Sequence, residues 1–114
     1  MTVPFAVRKH EDGGVVRLAV IGEIDHDVSE ALTTIVVNAV GQGGVQELVL
    51  DLRRVSFLAA AGLRALVEGH AAAGERVCAY RIEHAGGIVE RVLRLGGLIE
   101  LLAAAPVPDP SRSR

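Results

Sequence analysis

The sequence predicts a mixed α/β fold, a single sheet with parallel and antiparallel pairs, covered by helices on at least one face. Three observations carry that expectation. Two β-like runs flank the turn signal Glu11-Asp12-Gly13-Gly14, and alternating helical and strand-like patterns follow it. Half of the 114 residues are hydrophobic, mostly Val, Leu, Ile and Ala, which is enough to fill one core. That length fits one compact domain.

In residues 2–9, Val3, Phe5 and Val7 alternate, as in a strand. The Gly-containing turn then predicts a hairpin into residues 15–21, a β-branched run ending at Gly22. Glu23 to His26 reads as a polar connection, and Asp27-Val28-Ser29-Glu30 has the spacing of a capping box. From there Val28, Ala31, Leu32, Ile35, Val36 and Ala39 share one helical face, and Gly41-Gln42-Gly43-Gly44 stops the helix. Residues 46–52 form an apolar run of the kind a covered strand shows. Residues 62–73 follow as a second helix, with Leu63, Leu66, Val67 and His70 inward and Gly74 at its end. Residues 76–82 are a further strand, and residues 86–95 a third helix with Ile88, Val89, Val92 and Leu95 apolar. Residues 98–104 fit a short strand or a final helix equally well. The Pro- and Ser-rich end, APVPDPSRSR, reads as a mobile tail. Strand–helix–strand order implies right-handed crossovers. The connections after residues 21 and 52 then lie at one sheet edge, where such sheets place ligands and partners.

Composition excludes several roles. Phe5, Phe57 and Tyr80 are the only aromatics, too few for a base-stacking platform. The formal net charge of -2 comes without a basic cluster, so no nucleic-acid footprint is visible. Cys78 stands alone, which rules out an intrachain disulfide. There is no signal-peptide pattern and no run long enough to span a membrane, so a cytoplasmic location without membrane insertion is expected.

No catalytic constellation or metal site emerges, and no cofactor is expected. His10, His26, His70 and His84 lack metal-ligand spacing. His70 reads as a core or boundary residue, and His26 as a loop residue, solvated or facing a partner. Glu23 and Asp25 pair at i, i+2, but acid–base work needs a pocket that separates their pKa values. Asp25 holds the loop or the first helix start, or else contacts a partner. Cys78, in mid-strand, reads as an inert buried thiol. The oddest stretch is Ala59-Ala60-Ala61-Gly62, a helix entrance with no capping side chain, at a cost of roughly 0.5–2 kcal/mol. A broken local rule of this kind points to a functional site.

Three segments together resemble the STAS domain, the family of sulphate-transporter and anti-sigma-factor-antagonist domains. They are GEID at residues 22–25, LVLDLRRVSFLAAAGLRALV at residues 48–67 and AGGIVERVLRLGGLIELL at residues 85–102. The resemblance covers the chain from Val3 to about Ala103, which sets a domain at residues 1–103 and a tail at 104–114. It implies a mixed sheet with helices packed mainly on one face. It also implies partner switching: an antagonist binds an anti-sigma factor that is also a serine kinase, and phosphorylation by that kinase breaks the complex. The family's D-S-[ST]-G-L-type motif aligns with Ala59-Ala60-Ala61-Gly62-Leu63, so Ala59 replaces the acidic residue and Ala61 the phospho-acceptor.

On this resemblance the expected role is a non-enzymatic anti-sigma factor antagonist that is not phosphorylated at the usual site. Alanine carries no hydroxyl and does not mimic the roughly -1.5 to -2 charges of a phosphate. The expected docking surface is Asp25, His26, Ala59, Ala60, Ala61, Gly62, Leu63, Arg64 and Glu68, with Arg64 either paired to an acidic partner group or solvated. Regulation has Ser29 and Ser56 as other possible acceptors, Ser56 being placed next to Phe57 where burial is expected. A second reading is a sensory STAS subunit binding a nucleotide or other small molecule at the same edge. A third is a homodimer or scaffold subunit, favoured by an Ala-rich surface beside an exposed Leu63.

Overall fold

A computed structural model of the chain describes residues 3–98. These residues form, in order, β1 (Ala6–Asp12), β2 (Val15–Ile24), α1 (His26–Val40), β3 (Glu47–Leu58), α2 (Ala60–Glu75), β4 (Ala79–Glu83) and α3 (Gly87–Leu95). The sheet has the strand order β1-β2-β3-β4. The β1–β2 hairpin is antiparallel, and β2–β3 and β3–β4 are parallel with α1 and α2 as the crossovers. The expected mixed α/β sheet is therefore the observed one.

Register sets the two faces. Val16, Leu18, Leu48, Leu50, Tyr80 and Ile82 line up across β2, β3 and β4, and all are buried. They share one apolar cluster with Leu32 and Val36 of α1, Ala65 and Leu66 of α2, and Val89 and Leu93 of α3. All three helices thus pack on one face. The other face carries an ion-pair ladder. Arg17 Nη1 lies 2.7 Å from Glu83 Oε1, and Arg81 Nη2 lies 3.0 Å from Glu83 Oε2. Arg81 Nε sits 2.8 Å from Glu47 Oε2 without the alignment of a hydrogen bond, so this contact is an ion pair only. Val49, between Arg17 and Arg81 in register, is fully buried beneath that ladder. Long charged side chains cover apolar surface with their stems and keep their heads wet.

Several elements differ from the sequence reading. β1 starts at Ala6 and continues through Asp12, leaving Gly13 and Gly14 as the turn. β2 runs on to Ile24, a fully buried residue, so Glu23 and Ile24 are strand and not connection. α1 begins at His26 with Asp25 as its cap, two residues before the expected box, and Ala31 of its supposed apolar face is exposed. β3 extends six residues past Leu52. α2 begins earlier than expected and turns Gly62, Ala65, Leu66, Gly69 and Ala73 inward, while Val67 and His70 are exposed. The reason is closeness. A Cβ on Gly69 would collide with Val36 Cγ1, so the helix approaches α1 through small residues there, and Val67 and His70 are left facing out. β4 begins at Ala79, and in α3 Ile88 and Leu95 are exposed while Val89 and Leu93 are buried. The expected element at residues 98–104 and the tail at 104–114 lie outside the described residues, apart from Leu98, which is buried.

Two helices end in the same way. Cys78 N donates to Ala73 O and Val77 N to Gly74 O at the end of α2; Leu98 N donates to Leu93 O and Gly97 N to Arg94 O at the end of α3. Both are Schellman closures, which want a left-handed residue. Gly97 meets that demand at φ 82, but α2 uses Val77 at φ 53.

Candidate functional site

β2 and β3 end side by side, with Ile24 paired to Leu58, so the entrances of α1 and α2 adjoin as the sequence implied. Ala59 N donates to Ile24 O at 2.9 Å and ties the second entrance to the first. Asp25 has φ -103 and ψ -171, and its Oδ1 accepts from Asp27 N at 3.0 Å and Val28 N at 3.2 Å. Holding the start of α1 is therefore its structural task. Ala59 takes a similar extended conformation, φ -83 and ψ 168, with no side-chain cap. The amides of the first turn of α2 are consequently left without a side-chain acceptor.

The expected site residues divide into two groups. His26, Ala61, Arg64 and Glu68 line an open cleft of about 680 Å³ between α1 and α2. Ala60 is exposed at the first turn of α2. Gly62 and Leu63 point elsewhere. A Cβ on Gly62 would come within 2.5 Å of Ile24 Cγ2 and 2.8 Å of Leu58 Cδ1. That position seats the helix on the two strand ends. Leu63 is half-buried against Gly96, whose added Cβ would meet Leu63 Cδ2, so the exposed Leu63 expected from sequence is not observed. Ser56, expected to be buried, is exposed.

Sequence reasoning missed one wall of the cleft, formed by Asp27, Ser29, Glu30, Thr33 and Thr34 of α1. The signal was present: positions 26, 29, 30, 33 and 34 fall at helical spacing beside the apolar stripe. Ser29 Oγ donates to His26 O and Thr33 Oγ1 to Ser29 O, each at 3.0 Å, so these hydroxyls are engaged by their own helix. Asp27, Glu30 and Glu68 make the cleft acidic, against the single guanidinium of Arg64. Arg64 forms no ion pair among the described residues. Among these residues, no three His, Cys, Asp or Glu side chains converge in a way that could hold a metal ion, and no helix is long and apolar enough to cross a membrane. Cys78, expected in mid-strand, instead lies just before β4; it is buried, and desolvation pushes its thiol pKa up, away from the reactive thiolate.

A sheet whose parallel strands feed two adjacent helix entrances, with all helices on one face, defines a small mixed α/β domain. The family model described as "Mlab, STAS domain" matches residues 6–103, and the chain belongs to the STAS domain family. Solved structures agree with that placement. An anti-sigma factor antagonist from Mycobacterium paratuberculosis is 26% identical, with a TM-score of 0.76 over 87% of this chain and 83% of that one. The anti-sigma factor antagonist SpoIIAA in its unphosphorylated form shares the fold at 19% identity and a TM-score of 0.75, over 87% and 85% of the two chains. A sulfate transporter family protein from Wolinella succinogenes shares it at 21% identity and 0.69, over 82% and 80%.

Proposed function

We propose that this chain is a non-enzymatic regulator acting by protein docking, an anti-sigma factor antagonist that binds an anti-sigma factor with serine-kinase activity. The observation that carries the reading is the entrance of α2. It has no side-chain cap, and Ala61 lines the cleft shared with α1; the resemblance aligns Ala59, Ala60 and Ala61 with the family's switch motif, which supports this reading. In this reading Asp25 orders the neighbouring turn, His26, Arg64 and Glu68 meet the partner, and Gly62 and Leu63 keep the helix seated. A partner kinase finds no hydroxyl at Ala61, so ATP does not dissolve the complex through that position. The alternative, a small-molecule sensor, draws on the same cleft, but none of the polar side chains lining it is buried to orient a ligand.

The test is binding of purified protein to anti-sigma kinases encoded in the same genome, with and without Mg-ATP. Tight binding that ATP does not reverse, together with phosphorylation of an Ala59→Asp/Ala61→Ser variant, is the expected result. Failure of both proteins to bind any such kinase removes the antagonist reading.

A further inference from the structure

The end of β3 stays paired with β2 but does not alternate as a regular strand does. Leu52, Val55 and Leu58 enter the helix-side core, and between them Arg53, Arg54, Ser56 and Phe57 are exposed. Simple alternation sends every second residue outward. Here two residues project for each one buried, and the register shows why. Ala19 pairs with Asp51 but Ile21 with Arg54; Gly22 pairs with Val55 but Glu23 with Phe57. Each interval holds one extra residue on β3, which is a β-bulge, and Ser56 is the residue left over in the second. Bulges re-aim side chains and gather near functional sites.

Among the described residues, the other side of this segment has no strand beside it: β4 ends at Glu83, opposite Asp51, and beyond that pair β3 is paired with β2. The Ser56 hydroxyl makes no side-chain hydrogen bond among the described residues. Arg54 has no ion pair among them. Arg53 rests its Nη2 3.0 Å from His84 Nε2, a contact that an acidic group readily replaces. Phe57, 43% exposed, follows the serine directly. The other described Ser and Thr residues, Ser29, Thr33 and Thr34, all lie within α1.

We propose that Ser56 is a phosphorylation site, recognised by a serine kinase with acidic substrate-binding groups through Arg53, Arg54 and Phe57. An extended backbone, a free hydroxyl, two cations just ahead of it and an apolar side chain just after it are what such an enzyme grips. In the transfer, Ser56 Oγ bonds to the γ-phosphorus of Mg-ATP and the bond to the β–γ bridging oxygen breaks. ADP departs, and the hydroxyl proton passes to a carboxylate of the kinase. The added dianion then lies between Arg54 and Phe57, beside Glu23 and three residues ahead of Ala59. It attracts the arginines, repels Glu23 and changes the charge next to the uncapped entrance of α2. That last consequence rests on the docking role proposed above; the modification itself does not.

The test uses the full chain in a lysate of the cells that produce it, supplied with Mg-ATP, with the phosphosite mapped by tandem mass spectrometry. Phosphate on Ser56 is expected, absent in Ser56→Ala. Its rate should drop about 100-fold in Arg53→Gln/Arg54→Gln, the loss of two charge-assisted contacts. No phosphate on the chain, phosphate only on another hydroxyl, or a rate indifferent to the arginines overturns the site. Binding of the phosphorylated and unmodified chains to the anti-sigma kinase is measured separately. Absence of binding by either chain counts against the docking role and leaves the mapped site standing.

Discussion

α1 and α2 leave the same edge of the sheet, from paired strand ends, through residues with nearly the same backbone conformation. At one entrance the Asp25 carboxylate accepts two amide hydrogens; at the other the Ala59 side chain accepts none. α2 is also the helix that closes on Val77 where α3 closes on Gly97. So α2 is locally unfavourable at both ends, and α1 is capped at its start. The comparison shows that α2 is held along its inner face. Gly62 and Gly69 let it settle onto Ile24, Leu58, Val36 and Tyr80, and the Tyr80 hydroxyl donates to Leu66 O at 2.8 Å. A helix anchored this way can leave the outer side of its first turn, where Ala60 is exposed, free for something else.

The most damaging way to break the comparison is to remove the side chain that supports both entrances. Ile24→Ala, at a fully buried position, should cost about 2–5 kcal/mol, read as a lower urea midpoint at unchanged slope. A loss well below that range would mean that the strand end is not what seats α2. Asp25→Ala should cost about 1 kcal/mol and fray the start of α1, detectable by amide exchange at Asp27 and Val28.

Tyr80→Phe tests the mid-helix anchor and should also cost about 1 kcal/mol. Burial pushes the Tyr80 phenol pKa well above its ordinary value of 10.0, so the folded state keeps the proton where the unfolded state releases it. That contribution is fully present below about pH 10 and declines as pH rises beyond it. The alkaline decline should be shallower in the phenylalanine variant, as measured by denaturation at stepped pH.

Smaller effects run in the stabilising direction. Ala59→Asp should gain about 0.5–1 kcal/mol if the two entrances are equivalent frames. No gain would show that the α2 amides are already satisfied. Val77→Gly relieves a left-handed valine, and after the entropy of glycine is subtracted about 0.5 kcal/mol should remain. A thermal shift measured against Gly97→Val, which should move the other way, checks that pair.

The hairpin, the order of elements and the glycine stops of α1 and α3 were legible because turn chemistry and periodicity are local; the stop expected at Gly74 was not one, since α2 runs through it to Glu75 and closes on Val77. The family was legible because three segments, each weak alone, resemble it in order and spacing along nearly the whole chain. The inner face of α2 was not. Reading bulk as burial sends Val67 and His70 inward, whereas close approach selects Gly62, Ala65 and Gly69. The end of β3 was hidden for a different reason. Its two bulges convert a period of two into a period of three, and only the pairing with β2 reveals them. Asp25 was weighed as a helix-start residue, but its two hydrogen bonds depend on β2 running through Ile24.

The seat of Tyr80 between β4 and α2 has an optical consequence. The chain contains no tryptophan and only this one tyrosine, whose ring centroid lies 5.6 Å from that of His70. Ultraviolet emission excited in the tyrosine band therefore comes from a single point under α2. Any ligand without tyrosine or tryptophan that tilts this helix as it enters the adjoining cleft reports itself through that light, with no label attached.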